Sequence, residues 1–243
     1  MFVATYAKSG TNWIMQIVTQ LAWHGKAEFQ HIHELVPWPD SEAFGPMKRF
    51  AIPIGIDSVW KSLSERKRAV KTHLNWDLIP FSEEARYIMV IRDPKDVFVS
   101  GYHFFKESML GRGISSETWL RLFQSEYFPV GGSWAVNAAS YWAERRRPKV
   151  MVLSFKSMKL DDPQGRSSEM LSVQQQREMD AYFIAELKRL GSDLPYEEFA
   201  DITPGVEWAE GVSGPLGLEK RICPPAKNCR SPAGRSGIAD ART

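Results

Sequence analysis

Six consecutive residues near the start of the chain combine a cation, two hydroxyls, a glycine and an amide, which is enough to surround one small anion. They lie between a strand-like apolar run, residues 2–6, and a segment with helical periodicity. Unpaired backbone N–H groups and the positive end of a helix dipole meet at such a turn, and a lysine adds a full charge. The sequence therefore predicts an anion-binding turn made of Lys8, Ser9, Gly10, Thr11, Asn12 and Trp13.

The residue order in this turn argues against a nucleoside triphosphate site. A Walker A loop places its lysine after the second glycine and a hydroxyl on Mg²⁺. Here Lys8 comes two residues before Gly10, the single glycine of the turn. A P-loop kinase, which needs Mg²⁺ and ATP, is therefore a weak alternative. By itself the motif also fits an ordinary strand-to-helix turn with a solvent-facing lysine, so its neighbours must decide.

Two further polar motifs directly follow predicted strands. Lys71-Thr72-His73 lies at the end of the predicted strand 69–72. The segment from Arg92 to Ser100 follows the predicted strand 87–91. Ligands bind outside the carboxyl ends of the strands in open α/β sheets, so we expect both motifs to join the anion-binding turn. Arg92 can present a planar fork to a phosphate, and Ser100 can donate a hydroxyl. The alternative is a surface ion pair between Arg92 and Asp93, with Ser100 as a packing residue.

The distribution of apolar residues predicts an α/β fold around these motifs. Short, nearly continuous apolar runs are typical of parallel strands covered on both faces, and segments with helical periodicity separate them. Such alternation implies a doubly wound parallel sheet. The predicted strands are residues 2–6, 69–72, 87–91 and 149–153. Of the three predicted helices, the first begins at Thr11, the second covers residues 133–147 and the third covers residues 172–190.

Each predicted helix carries a face that should pack on the sheet, together with residues that begin or end it. The first helix, ended by Gly25, has an apolar stripe made of Ile14, Ile17, Val18, Leu21 and Ala22. The second, capped by Ser133, has an inward stripe made of Val136, Ala139, Ser140 and Trp142. The third, between the cap Ser172 and Gly191, has a stripe made of Met179, Tyr182, Phe183 and Leu187.

Composition limits the class of protein. With 243 residues and 43% hydrophobic content, the chain can form one domain, which we place at residues 1–203, before an irregular or disordered tail at 204–243. A net charge of +2 does not favour nucleic acid as a partner. Cys223 and Cys229 have neither disulfide-framework nor zinc spacing. Without a signal peptide or an apolar stretch of membrane-spanning length, we expect a cytoplasmic protein with no membrane partner.

Three motifs together resemble one known family. The segment from Tyr6 to Trp13 is similar to the 5′-phosphosulfate loop of the cytosolic-type sulfotransferases, and Arg92 to Phe104 resembles their 3′-phosphate motif. Lys71-Thr72-His73-Leu74 resembles the segment that carries their catalytic histidine. The resemblance covers about the first two-thirds of the chain. It implies a three-layer α/β/α fold with a central parallel sheet, similar to that of the P-loop NTPases.

The resemblance also implies an activity, which is sulfuryl transfer from 3′-phosphoadenosine 5′-phosphosulfate to a hydroxyl or amine of a small acceptor. His73 would be the general base, a role that suits its near-neutral reference pKa. Lys8 and Lys71 would offset charge on the leaving phosphate and the sulfuryl oxygens. The 5′-phosphate would lie on the turn that includes Ser9 and Gly10, with contacts to Thr11 and Asn12, adenine would stack on Trp13, and Arg92 and Ser100 would hold the 3′-phosphate. The scheme needs no metal.

The sequence departs from the family pattern in several places. Ala7 stands where the family usually has proline, and the first strand has no segment before it, so the start could be truncated. After residues 155–159 a long block that includes the family's Arg-Lys-Gly loop over the 3′-phosphate has no counterpart, and the domain could be incomplete after about residue 160. The alternative function is therefore a catalytically impaired remnant that only binds nucleotide or a partner.

The remaining aromatic and histidine residues give weaker signals. An apolar alcohol or phenol would suit a pocket lined by aromatic residues, although such residues are also common in cores. The candidates for that pocket are Trp38, Phe44, Trp60, Trp76 and Phe105. His31 and His33 lack a third ligand, so metal binding is not expected.

Overall fold

The computed structural model describes residues 1–41, 68–108, 113–126, 128, 132–159 and 165–206. Within them, one sheet contains the strands β1 (Phe2–Thr5), β2 (Val70–Thr72), β3 (Tyr87–Ile91) and β4 (Val150–Ser154). The helices are α1 (Thr11–Ala22), α2 (Pro94–Ser108), α3 (Ser116–Phe123), α4 (Trp134–Ala143), α5 (Phe155–Met158), α6 (Val173–Arg189) and α7 (Tyr196–Phe199). Short 3₁₀ turns cover Ile32–Glu34, Trp76–Leu78 and Ser167–Glu169.

All four strands are parallel, and their order across the sheet is β2-β1-β3-β4. Val3 of β1 lies opposite Lys71 on one side and Ile88 on the other. The chain passes from β1 to β2 on one side and then to β3 on the other, so the direction of winding reverses between β1 and β3. Ligands of open α/β sheets bind at this switch point, outside the carboxyl ends of the strands. The predicted parallel sheet is confirmed.

Two hydrophobic clusters cover the two faces of the sheet. Val3 and Val90 point to the face that α1 covers, where they pack with Ile14, Met15 and Val18. Alternate residues of the same strands point to the opposite face, where helices α2, α3, α4 and α6 supply the core. The protein therefore has three layers. None of the helices within the described ranges is long and apolar enough to cross a bilayer.

The buried face of α1 differs from the predicted one. Ile14 and Val18 are buried as expected, but Ile17 is 37% exposed and Leu21 is 71% exposed. Met15 and Thr19 face the sheet in their place. The prediction relied on the large aliphatic residues. The helix is instead rotated so that Met15 and the two threonines, Thr11 and Thr19, are buried. Gly25 ends the helix as predicted: its φ is +78°, and its N–H bonds the carbonyl of Gln20 at 2.8 Å.

The predicted inward stripe of α4 is wrong. Val136, Ala139, Ser140 and Trp142 are only partly buried. The buried residues are Trp134, Ala135, Asn137, Ala138 and Tyr141. Two alanines three residues apart bring the helix close to its neighbours, and the larger rings beside them fill the remaining space. Ser133 precedes the helix, but its side chain makes no capping hydrogen bond.

Helix α6 agrees better with its prediction. Ser172 and Gln175 form a reciprocal capping box, and Gly191, with a φ of +66°, follows the last turn. Met179, Phe183 and Leu187 are buried as expected. The fourth buried position is Asp180, a carboxylate that the apolar pattern did not include.

Candidate active site

The turn between β1 and α1 contains two residues in the left-handed backbone conformation. Lys8 and Gly10 have positive φ values, +67° and +88°. A Cβ added to Gly10 would lie 2.6 Å from the ring of Phe155, so both conformation and space require glycine here. The N–H of Ser9 bonds the carbonyl of Tyr6 at 3.1 Å, which closes the turn before the helix begins.

Several hydrogen-bond donors without partners within the described residues lie at the N-terminus of α1. The first hydrogen bond of the helix runs from the N–H of Ile14 to the carbonyl of Gly10, so the N–H groups of residues 11–13 are those that a helix leaves unpaired. The first turn carries no acidic side chain that would compete for them. The buried hydroxyl of Ser9 has no hydrogen-bond partner among the described residues. These donors suit an anion at the helix N-terminus.

Lys8 adds a positive charge to the same place. Its ammonium lies 4.0 Å from the centre of the Phe104 ring, and the side chain is half-buried. Burial and the charge of Arg92 lower the pKa of Lys8. Two cations that repel each other in a partly desolvated site favour an anion between them.

Arg92 leaves β3 beside this turn and is 9% exposed. Its Nη1 donates to the carbonyl of Lys8 at 2.9 Å, and its Nη2 lies 3.4 Å from Oδ2 of Asp96. The alternative of a surface pair with Asp93 is wrong. Asp96, on the first turn of α2, faces back toward Arg92, whereas Asp93 accepts backbone N–H groups instead.

Ser100 lies half-buried on α2, two helical turns beyond Arg92. Residues four apart lie on the same face of a helix, so Ser100 shares the face of Asp96, the partner of Arg92. Its predicted hydroxyl contact to phosphate stays a prediction.

His73 follows β2 and is 4% exposed. Its Nδ1 lies 2.7 Å from the carbonyl of Thr5, and its backbone N–H donates to Asp40 at 2.8 Å. Burial, followed by the charge of Lys71, lowers the pKa of His73 to about 3. The ring is therefore neutral at physiological pH. Because a carbonyl can only accept, Nδ1 carries the proton and Nε2 is the basic nitrogen.

Lys71 precedes His73 by two residues and is 6% exposed. Its ammonium lies 3.3 Å from the centre of a Trp38 ring, which also meets the ring of His73 edge to face at 5.2 Å. Burial lowers the pKa of Lys71 to about 7, although the charge of Asp40 partly opposes this shift. Lys71 therefore changes charge near physiological pH.

The sequence did not reveal three residues of the site. Phe155 begins α5 directly after β4; its ring lies 4.6 Å from the guanidinium of Arg92 and 5.9 Å from the Trp13 ring. Asp40 holds His73, and Asp96 pairs with Arg92. The position of Phe155 at the end of the fourth strand was a usable signal. The two aspartates have no local pattern that marks them.

The segment after α5 also reaches this region. The backbone N–H of Arg166 donates to Oδ1 of Asp96 at 2.7 Å. A Cβ on Gly165 would lie 2.5 Å from the same oxygen, so the close approach depends on glycine. Beside it is a small cavity lined by Arg92, Asp93, Asp96, Phe155, Lys156, Lys159, Phe199 and Asp201.

The three described members of the predicted aromatic pocket do not lie together. Trp38 lies beside His73, but Trp76 packs 4.9 Å from the Tyr87 ring and Phe105 lies in the core 5.6 Å from Trp119. Phe44 and Trp60 lie outside the described residues. Nor do the described parts of the chain hold three side chains arranged to bind a metal ion, and Nδ1 of His33 lies 2.9 Å from the carbonyl of Val36.

Comparison with known proteins identifies the family. The family model of the sulfotransferase domain matches residues 1–179 of the chain. The chain belongs to the sulfotransferase family. Human sulfotransferase 2A1 is 31% identical over 181 residues, which cover 70% of this chain and 57% of the human protein. Rat sulfotransferase 1C2 is 29% identical over 174 residues, which cover 66% of this chain and 54% of the rat protein.

The chain thus spans about half the length of the curated relatives it matches. Among solved structures, retinol dehydratase in a complex with retinol and PAP has a TM-score of 0.50 and 19% identity, and the match covers 82% of this chain and 61% of that chain. This likeness confirms the expected fold, an α/β sulfotransferase fold with a central parallel sheet.

Proposed function

We propose that the protein transfers a sulfuryl group from 3′-phosphoadenosine 5′-phosphosulfate to a hydroxyl, or an amine, of a small-molecule acceptor. The observation that carries this proposal is the state of His73. It is a buried, neutral histidine whose Nδ1 is held by the Thr5 carbonyl, which leaves Nε2 as the base beside Lys71. A general base needs this tautomer and an orientation fixed by a second group.

The two ends of the cosubstrate fit the two cationic parts of the site. The N–H groups at the start of α1 and the side chain of Lys8 would hold the 5′-phosphosulfate. Arg92 would hold the 3′-phosphate, and the adenine would stack on Trp13. PAP, which is adenosine 3′,5′-bisphosphate, is bound by the structurally similar retinol dehydratase. For this chain it would be the product nucleotide.

Transfer would proceed by in-line displacement at sulfur. The acceptor oxygen attacks sulfur while Nε2 of His73 takes the acceptor's proton, so a new S–O bond forms. The bond between sulfur and the 5′-phosphate oxygen breaks, and its electron pair leaves with adenosine 3′,5′-bisphosphate. Lys8 and Lys71 would offset the charge on the leaving phosphate and on the sulfuryl oxygens. No step requires a metal.

The pKa of His73 must rise for it to act as a base. Burial and the charge of Lys71 hold that pKa at about 3. The cosubstrate would bring several negative charges beside both residues, and nearby negative charge raises the pKa of a histidine. Cosubstrate binding would therefore raise the pKa of His73 and activate it as a base before the acceptor reacts.

The acceptor would approach from the side of Trp38, whose ring borders both His73 and Lys71. An apolar alcohol or phenol suits this aromatic surface, since its ring or hydrocarbon part can pack there while its hydroxyl meets Nε2. Retinol, an apolar alcohol, is bound by retinol dehydratase.

The second candidate is a remnant that binds nucleotide without transferring sulfate. One observation favours it: both terminal nitrogens of Arg92 already have partners within the chain. The basic nitrogen of His73 and the cations beside it favour the active enzyme instead, because binding of nucleotide alone does not need a general base.

Titration calorimetry with adenosine 3′,5′-bisphosphate and transfer of ³⁵S from labelled cosubstrate to a panel of phenols and apolar alcohols distinguish the candidates. An active enzyme binds the bisphosphate and labels an acceptor. Binding without transfer, with no release of labelled sulfate, supports the remnant. Absence of binding at millimolar ligand excludes both, and Mg²⁺-dependent ATP binding would support the kinase alternative.

A further inference from the structure

Behind the phosphate motif lies a buried ion pair that the proposed reaction does not use. Lys95, on the first turn of α2, is 1% exposed, and Asp180, on α6, is fully buried. The ammonium of Lys95 bonds Oδ1 of Asp180 and so ties the two helices together. Such a pair is costly to bury unless the remaining hydrogen-bonding groups of both ions are satisfied.

The carboxylate of Asp180 is fully satisfied. Its Oδ1 also accepts the hydroxyl of Tyr196 at 2.8 Å. Its Oδ2 accepts the backbone N–H of Thr203 at 2.9 Å and the hydroxyl of the same residue at 2.7 Å. The buried carboxylate of Asp180 therefore anchors the segment after α6 through these hydrogen bonds.

The ammonium of Lys95 links this charge to the phosphate motif. It donates to the carbonyl of Asp201 at 2.8 Å and lies 3.4 Å from Oδ2 of Asp93. Asp93 in turn accepts the N–H of Asp201 at 3.0 Å and the N–H of Lys95 at 2.8 Å. Because Asp93 directly follows Arg92, these bonds fix the backbone that carries the guanidinium.

The same residues form part of the cavity beside Arg92. Asp93 and Asp201 both line it, so a shift of either changes the wall of the space that faces Arg92. The residues that anchor them, Asp180 to Thr203, lie beyond the region that the family model matches, residues 1–179.

We propose that Asp180 is a positioning residue for the 3′-phosphate: through Lys95 it holds Asp93 and the start of α2 so that Arg92 is presented to that phosphate. This inference rests on the proposed function and adds residues 180–203 to its cosubstrate site. If Asp180 loses its charge, Asp93 is the remaining carboxylate that pairs with the ammonium within the described part of the chain. Attraction toward it would pull Asp93 from its backbone partners and tilt the start of α2.

The test uses two nucleotides that differ only in the 3′-phosphate. Adenosine 3′,5′-bisphosphate and adenosine 5′-phosphate are titrated into the full chain and into Asp180→Asn, which keeps the shape of the side chain and removes its charge. We expect the bisphosphate affinity to fall about 10-fold or more, the size of one lost charge-assisted contact, while the monophosphate affinity changes less than about twofold. Glu186→Gln is the matched control, because Glu186 pairs with Arg189 on the surface of the same helix.

Each outcome has one meaning. Equal losses for both nucleotides, or no loss for either, overturn the positioning role while the proposed function stands. A wild-type chain that binds both nucleotides equally has no 3′-phosphate site, which overturns the role given to Arg92 as well. A wild-type chain that binds neither nucleotide overturns the proposed function and this inference with it.

A gentler variant covers the case in which Asp180→Asn does not fold. Tyr196→Phe removes one donor to Asp180 and leaves the ion pair with Lys95 in place. We expect a smaller loss, again confined to the bisphosphate. A uniform loss in this variant would contradict the positioning role by itself.

Discussion

Nη1 of Arg92 donates a hydrogen bond of 2.9 Å to the backbone carbonyl of Lys8, which joins the end of β3 to the turn after β1. The two residues belong to motifs that lie 84 positions apart in the chain. Lys8 has a positive φ, and its carbonyl is held by a guanidinium that also borders the proposed 3′-phosphate position. The two halves of the proposed cosubstrate site therefore share one rigid contact.

Replacement of Arg92 by lysine should weaken both halves. Lysine keeps the charge but cannot reach the Lys8 carbonyl and Asp96 with one planar fork. We expect adenosine 3′,5′-bisphosphate to bind about 10- to 100-fold more weakly, since a charge-assisted hydrogen bond contributes about 1.5–3 kcal/mol. Calorimetry measures the change, and Arg86→Lys, at an exposed position, is the control. Unchanged affinity would show that Arg92 serves only the fold.

Replacement of Gly10 by alanine tests whether the shape of the turn matters. Gly10 combines a φ of +88° with a ring of Phe155 in the place of the new Cβ. Gly25 has a similar φ of +78° but nothing within 4 Å, so Gly25→Ala reports the backbone strain alone. We expect Gly25→Ala to lower the free energy of unfolding by about 1 kcal/mol and Gly10→Ala by about 1–3 kcal/mol more, because overpacking adds to strain.

Denaturant unfolding of both variants gives the two values. Loss of bisphosphate binding should accompany Gly10→Ala only. Equal destabilisation by the two variants would mean that the Phe155 ring moves aside at little cost, and the close packing of that ring would then be unimportant.

Replacement of His73 by alanine should separate catalysis from binding. If Nε2 is the general base, kcat should fall by about 10²–10⁴ while the bisphosphate affinity changes less than twofold. His103→Ala, at an exposed position on α2, is the control. Single-turnover sulfate transfer and calorimetry provide the two readouts. Loss of nucleotide binding together with turnover would mean that His73 supports the fold of the site and not proton transfer.

The sequence predicted the fold better than it predicted the faces of the helices. Strand β3 was found with its exact bounds in the prediction because a strand buried on both faces is continuously apolar. The capping box at Ser172 and Gln175 has an equally local cause. The faces of α1 and α4 were wrong because their buried positions include threonines, alanines and an asparagine, whose burial depends on what lies opposite them.

The site shows the same division. Lys8, His73 and Arg92 each follow a strand, so their positions could be predicted from the strands. The partners that set their chemistry could not, since Asp40 meets His73 across 33 residues and Asp180 meets Lys95 across 85. Contacts between distant segments leave no periodic signal in the sequence, and the charge state of a side chain depends on its burial in the folded protein.

The affinity for the bisphosphate should depend on pH through Lys71. Burial lowers the pKa of this lysine to about 7, and a bound anion would raise it again. Binding above pH 7 must therefore take up a proton, so the affinity should fall as pH rises, with uptake of up to about one proton per nucleotide. The nucleotide phosphates are already fully ionised there, since their second pKa is about 6.

Calorimetry between pH 7.5 and 9 in buffers of different ionisation enthalpy counts that proton. In Lys71→Arg the charge is permanent, so both the uptake and the part of the pH dependence due to this residue should disappear. The same uptake in Lys71→Arg would assign the proton to another group, with Lys8 next in order, because its pKa is also lowered.

Folding stability should reveal the protonation state of His73 without any ligand. The unfolded chain takes up a proton at the ordinary histidine pKa of 6.5, whereas the folded protein does so only near 3. The stability that depends on neutral His73 is thus fully present above pH 6.5 and falls as pH drops through this window. Asp93 acts in the opposite direction, because burial raises its pKa to about 6 and its proton favours the folded state.

His73→Gln isolates the histidine, since the variant retains Asp93 and an amide N–H that can reach the Thr5 carbonyl. The wild-type free energy of unfolding, relative to that of the variant, should be about 2.5 kcal/mol lower near pH 4.5 than near pH 7, because the pKa of His73 is about 3 in the folded protein and each pKa unit corresponds to about 1.4 kcal/mol. Urea unfolding at both pH values measures it, with His103→Gln as the control. A difference that stays constant with pH would mean that the pKa of His73 is the same in the folded and the unfolded protein, which contradicts a ring held neutral by burial.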